Sequence, residues 1–128
     1  ATVNITWATA GSAVAFAGYL DQTVATGLTA TGTTRADALA LSNQINVVGT
    51  AAAGTGVVLP SVATAGVGAV VWLFNDGASI LKVYGAGSDT IDGTAGATGV
   101  NLTNAKRCCY VATAAAVWKS AQMGVVSA

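Results

Sequence analysis

The side chains able to do covalent or metal chemistry are few in this chain, which contains no His and no Glu. Cys108 and Cys109 are adjacent, so on a strand their thiols point to opposite faces. A disulfide between neighbours requires a strained ring, and a metal site wants several thiolates or imidazoles at spacings such as Cys-x-x-Cys. The pair therefore reads as two free thiols packed as small hydrophobes, as in a protein made in a reducing cytosol.

The carboxylates offer little more. Gly85-Ala86-Gly87-Ser88-Asp89-Thr90-Ile91-Asp92-Gly93 has the look of one Gly-Asp calcium turn, but such turns act in tandem arrays. Two carboxylates also fall short of the six to eight oxygens that calcium takes. As a glycosidase pair, Asp89 and Asp92 have nothing beside them in sequence to raise one pKa. They read as turn residues. Serine and threonine nucleophiles lack a His partner, and no motif supports a Ser-Lys dyad. Gly85-Ala86-Gly87 precedes neither a helix nor a Lys-Ser/Thr pair, which argues against a phosphate loop. The expectation is a protein that is not an enzyme, with no catalytic residue, no cofactor and no metal.

Composition points the same way. Hydrophobic residues make up 53% of the 128 positions and charged residues 8%, against about 25% charged in typical domains. Five Asp balance five basic residues (Arg35, Lys82, Lys106, Arg107, Lys119), so there is no basic stripe for nucleic acid. Mean hydropathy is +0.63. Yet the longest near-continuous apolar stretch, Ala65 to Phe74, is well short of the roughly 20 residues of a spanning helix. The N-terminus has no basic region ahead of its apolar residues and does not read as a signal peptide. No nucleic-acid or membrane partner is expected. Ten charges cannot cover a domain of this size, so Thr, Ser, Asn, Gln, Gly and Ala must form much of the exterior. Such a surface favours association over solubility, and much of it is expected to be buried against copies of the chain or a partner.

The elements that must carry these residues are mostly short strands. Glu is absent and Leu, Lys, Arg and Met are few, which removes most helix formers except Ala. Thr34 to Ser42 reads as a short helix, with Thr34 as cap and Asp37 near the capping-box position. Elsewhere Thr2 to Trp7 alternates, and Ala13–Tyr19, Ile45–Gly49, Gly56–Pro60, Val67–Phe74, Ile80–Tyr84, Val100–Leu102 and Arg107–Trp118 read as strands. Asn75-Asp76-Gly77 carries an Asp-Gly hairpin signal. The expected fold is all-β: a single β-sandwich or jelly-roll-like domain of short antiparallel strands, with one short helix and an extended N-terminal arm. Residues 1–33 form the arm or strand-exchange segment and residues 34–128 the β-sandwich domain, with no internal repeat. Trp72 and Phe74 share a face and are expected in the core. Trp7, Phe16 and Tyr19 lie in the arm and are candidate interface anchors.

The stretch from Gly56 to Gly93 resembles a module of tailed-bacteriophage virion proteins. The resemblance rests on Gly56-Val57-Val58-Leu59-Pro60, Phe74-Asn75-Asp76-Gly77-Ala78, Leu81-Lys82-Val83-Tyr84 and Ser88-Asp89-Thr90-Ile91-Asp92-Gly93. Trp118 stands where a closing Trp often lies, and Ala36 to Val48 fits the lead-in. It is a resemblance to capsid decoration (cement) proteins, and it implies a small β-domain seated on the capsid exterior and made in the bacterial host cytoplasm. The implied partners are the chain itself, as a homotrimer, and the major capsid protein, whose neighbouring subunits it would bridge and stabilise. A receptor- or glycan-binding domain of a fibre or tail appendage is the alternative, with Trp7 or Tyr110 as stacking aromatics.

Overall fold

A computed structural model describes residues 17–124. Within them the chain forms two facing β-sheets around one core, with a single short helix. The strands are β1 (Val24–Thr29), β2 (Leu39–Ala40), β3 (Ile45–Thr50), β4 (Gly56–Val58), β5 (Val70–Asn75), β6 (Leu81–Tyr84), β7 (Thr90–Ile91), β8 (Thr94–Ala95), β9 (Val100–Leu102), β10 (Lys106–Ala114) and β11 (Val117–Gly124), and the helix is α1 (Val62–Ala65). The seven-stranded sheet has the order β1-β3-β5-β10-β11-β7-β8, and the four-stranded sheet β2-β4-β6-β9.

The all-β, two-sheet expectation holds, but its antiparallel detail is corrected. From β1 to β6 the chain alternates between the sheets, so each strand is added parallel to the one two before it. The first half is thus wound like a short coil, and its return through β9, β10 and β11 is antiparallel except where β11 pairs parallel with β7. Segments of unequal length link the rungs, which leaves no regular period for the sequence to display. β1 lies inside the 1–33 stretch, and its pairing with β3 makes residues 24–29 part of the larger sheet.

The core is built by strict alternation. In β5, Val71, Leu73 and Asn75 point inward and are almost fully buried, while Val70, Trp72 and Phe74 point outward and are half-buried. Trp72 and Phe74 are therefore not core residues. The outward phase of β5 is set by Val71 and Leu73 packing with Val48, Cys108 and Tyr110, and a one-residue slip would reverse all six side chains. Trp118, on β11, is the largest fully buried side chain.

The helix sits in a different place from the expected one. Asp37 does accept from the Thr34 N–H (2.8 Å), the Asp37 half of a capping box, but the Thr34 hydroxyl donates to the same carboxylate (2.6 Å) instead of accepting from a backbone N–H, so these contacts do not cap a helix. They close only a turn, because Leu39 and Leu41 then take up a two-residue period against the core and β2 pairs with β4. The observed helix follows Pro60: Ser61 caps it by accepting from Thr64 N–H (3.1 Å), and Gly66 ends it.

The Asp76-Gly77 hairpin is likewise absent. β5 and β6 lie in opposite sheets, and residues 76–80 arch between them. Asn75 holds the arch from within: its Oδ1 accepts from Gly77 N–H, and its Nδ2 donates to the carbonyls of Ser79 (2.9 Å) and Leu102 (3.0 Å). Gly77 is needed for close approach, since a Cβ there would lie 2.5 Å from Ala51 N. The Asp-Gly hairpin that does form is Asp92-Gly93, between the paired strands β7 and β8, where both residues have positive φ as a two-residue turn of type I′ requires. The stretch from Arg107 to Trp118 is likewise two strands, divided by the Ala115-Ala116 turn.

Candidate binding surface

The inward phase of the larger sheet leaves its outer face apolar. One row runs Val24, Ile45, Trp72, Cys109, Ala121 across five strands by direct cross-strand register. A second runs Val47, Phe74, Arg107, Met123, and a third Val70, Val111, Lys119. Most of these side chains are half-buried, with Val24, Lys119, Ala121 and Met123 exposed. The two cations within the rows are Arg107 and Lys119. The Arg107 guanidinium lies 5.4 Å from the centre of the Phe74 ring, so its charge covers an aromatic face instead of breaking it up. Before β1 the chain is exposed throughout residues 17–23, with Tyr19 fully exposed and Leu20 at 66%.

Of the candidate anchors, Tyr19 is thus open to solvent, beside the edge of this face in sequence. Trp7 and Phe16 lie outside the described residues. Tyr110 cannot serve as a stacking platform for a glycan, because it is 1% exposed on the inner face of β10. The surface residues that sequence reasoning passed over are Ile45, Val47, Val70 and Val111. Strand periodicity places them opposite the core, but alternating apolar residues on both faces conceal which phase is inward.

The residues with chemical potential hold the fold. Cys108 and Cys109 are free, with Cys108 buried on the inner face and Cys109 half-buried on the outer one. Burial pushes both thiols above their ordinary range, which keeps them protonated and slow to react. Tyr110 is pushed up as well, by burial first and by the neighbouring Cys108 second. Asp92 accepts from the Ser120 N–H (3.0 Å) and hydroxyl and so ties the β7–β8 turn to β11. Asp89 accepts from Val62 N–H (2.8 Å). Each carboxylate engages a different part of the fold, and among the described residues no three His, Cys, Asp or Glu gather into a metal-sized group. No helix among those residues is long and apolar enough to cross a membrane.

No protein-family model, no curated protein and no solved structure matches this chain.

Proposed function

We propose that this protein is a virion structural protein that decorates and stabilises a phage capsid, acting as a homo-oligomer whose contacts bridge major capsid subunits. The observation that carries the reading is the outer face of the seven-stranded sheet, where Ile45, Trp72 and Cys109 in one row and Val47 and Phe74 in the next form a continuous apolar surface. With the flanking strands β1 and β11, the face measures four inter-strand spacings by six residues, roughly 400 Å² in plan with Arg107 and Lys119 included. That is the size of the largest apolar patches on monomers, which are often functional. It is about half of what each partner buries in a stable two-body complex. A face of this size suits a contact that is weak singly and effective in many copies on a lattice. The low charge of the chain and the sequence resemblance from Gly56 to Gly93 lend independent support. The homotrimer follows from the resemblance alone.

The mechanism is thermodynamic. Contacts that exist only on the assembled shell stabilise it by mass action, as a ligand stabilises its receptor. The test is co-sedimentation of the purified protein with capsid shells, followed by heating of heads with and without it. Saturable binding and a higher rupture temperature are expected. Heads that rupture at the same temperature in its absence would overturn the reading.

A further inference from the structure

The three rows on the outer face of the larger sheet carry cations and no carboxylate. Arg107 lies over the Phe74 ring, whereas Lys119 is exposed. Most carboxylates of the chain are engaged elsewhere. Asp37 accepts from Thr34, Asp89 from Val62 N–H and Asp92 from Ser120, and Asp76 stands in the arch that follows β5. Asp21 differs. It is exposed, and it follows two apolar side chains that are open to solvent, Tyr19 at 100% and Leu20 at 66%. One chain thus holds an apolar face with a cation and an apolar segment with a carboxylate.

Their spacings match. Tyr19 and Asp21 are two residues apart, so in an extended segment they point to one side about 6.6 Å from each other. The row of Trp72 and Cys109 lies the same distance from the row of Val111 and Lys119, because Cys109 and Val111 are two residues apart on β10. Within one chain the reach is poor. Thr23 is fixed to the sheet, its carbonyl accepting from Ile45 N–H (3.0 Å) and its hydroxyl from Gln44 N–H (3.0 Å). Asp21 is two residues, about 7 Å, from that anchor. Lys119 on β11 lies four inter-strand spacings from β1, about 19 Å across the sheet. Pairing in one chain would need the segment and both side chains stretched flat to their limits, and a second copy has no such restriction. We propose that Tyr19 of one copy packs on Trp72 and Cys109 of a second copy, with Asp21 pairing with the Lys119 of that second copy. Segment and face are different surfaces of every copy, so the contact is head-to-tail, the kind that builds closed rings. The proposal rests on the homo-oligomer in the function proposed above and names the surfaces that join it.

The test is the mass of the full chain in solution, by light scattering over a range of concentrations with no capsid present. The wild type is expected to associate. Asp21→Lys sets two like charges against each other and should raise the concentration needed for association at least about tenfold. Tyr19→Ser should weaken association as well, through the lost aromatic anchor. The swap Asp21→Lys with Lys119→Asp restores opposite charges and should return association to the wild-type range. All three positions are exposed, so thermal unfolding should be nearly unchanged in every variant and the mass reports the contact alone. Wild-type association that Asp21→Lys leaves intact, or a loss that the swap does not repair, would overturn the proposal and assign the homo-oligomer to another surface. A wild type that stays monomeric throughout would overturn the proposal and the homo-oligomer together.

Discussion

Trp118 combines complete burial with an indole N–H that has no hydrogen-bond partner among the described residues. The two facts act in opposite directions on substitution. Trp118→Ala should cost about 3–5 kcal/mol through lost packing and the cavity left behind. Trp118→Phe removes some of the volume but also the unpaired donor, whose burial alone costs about 1–3 kcal/mol. Its net destabilisation should stay below about 2 kcal/mol in urea unfolding, and a loss equal to that of Trp118→Ala would mean that the N–H is satisfied. The buried titrating groups give the same residue scale a pH dependence. Cys108 and Tyr110 both lose protons less readily in the fold than in the open chain. A raised folded-state pKa contributes in full below the unfolded-state pKa and is lost as pH rises through the folded one. Stability should therefore hold through neutral pH and fall once pH passes the ordinary thiol and phenol ranges. Denaturant midpoints across alkaline pH would show this, and Cys108→Ser should blunt the first part of the decline. A midpoint that stays flat up to pH 11 would contradict the assignment.

At the scale of elements, the arch between β5 and β6 depends on one side chain. Asn75 is fully buried, and its amide satisfies Gly77 N–H and the carbonyls of Ser79 and Leu102. Asn75→Ala strands one donor and two acceptors, each costing about 1–3 kcal/mol when buried. A loss of about 3 kcal/mol or more is expected, with thermal unfolding as the measurement; a loss under about 1 kcal/mol would show that water replaces the side chain. The same residue shows what the sequence could disclose. Strand locations at Ile45, Gly56, Leu81 and Val100 were legible from β-branched runs between turn residues. The Asn-Asp-Gly signal correctly marked a reversal after Phe74 but not its partner, because turn chemistry is local while sheet choice depends on which faces must meet. Thr34 and Asp37 likewise announced their contact but not its direction, since the Thr34 hydroxyl donates, and the core's demand for Leu39 and Leu41 decided that no helix would follow. β1 was not legible at all: Val24-Ala25-Thr26-Gly27-Leu28-Thr29 contains a glycine at positive φ and shifts register against β3.

For the whole molecule, the distribution of apolar residues over two faces of one sheet is the property that decides behaviour in solution. Inward residues of β3, β5 and β10 make the core, and the outward residues of the same strands make a second, half-buried and largely apolar layer outside it. Ile45 and Val70 flank Trp72 on that layer, and neither contributes to the core. Replacing both by Glu should therefore cost stability only through strand preference, a scale that spans about 1 kcal/mol per site. Their effect on association should be far larger, because two carboxylates would be forced against whatever covers the face. Light scattering at several concentrations is expected to give the wild type a mass that is a multiple of 12.4 kDa, or a mass that climbs toward one. The Ile45→Glu, Val70→Glu variant should remain at the single-chain mass. A closed, symmetric assembly would show a mass independent of concentration, whereas weak lattice-type contacts would show a mass that rises with it. If the variant assembles as the wild type does, oligomerisation uses another surface and the outer face stays free for a different partner. If the wild type itself stays monomeric at high concentration, the link drawn from sparse charge to self-association fails, and the outer face can then act only on a different partner.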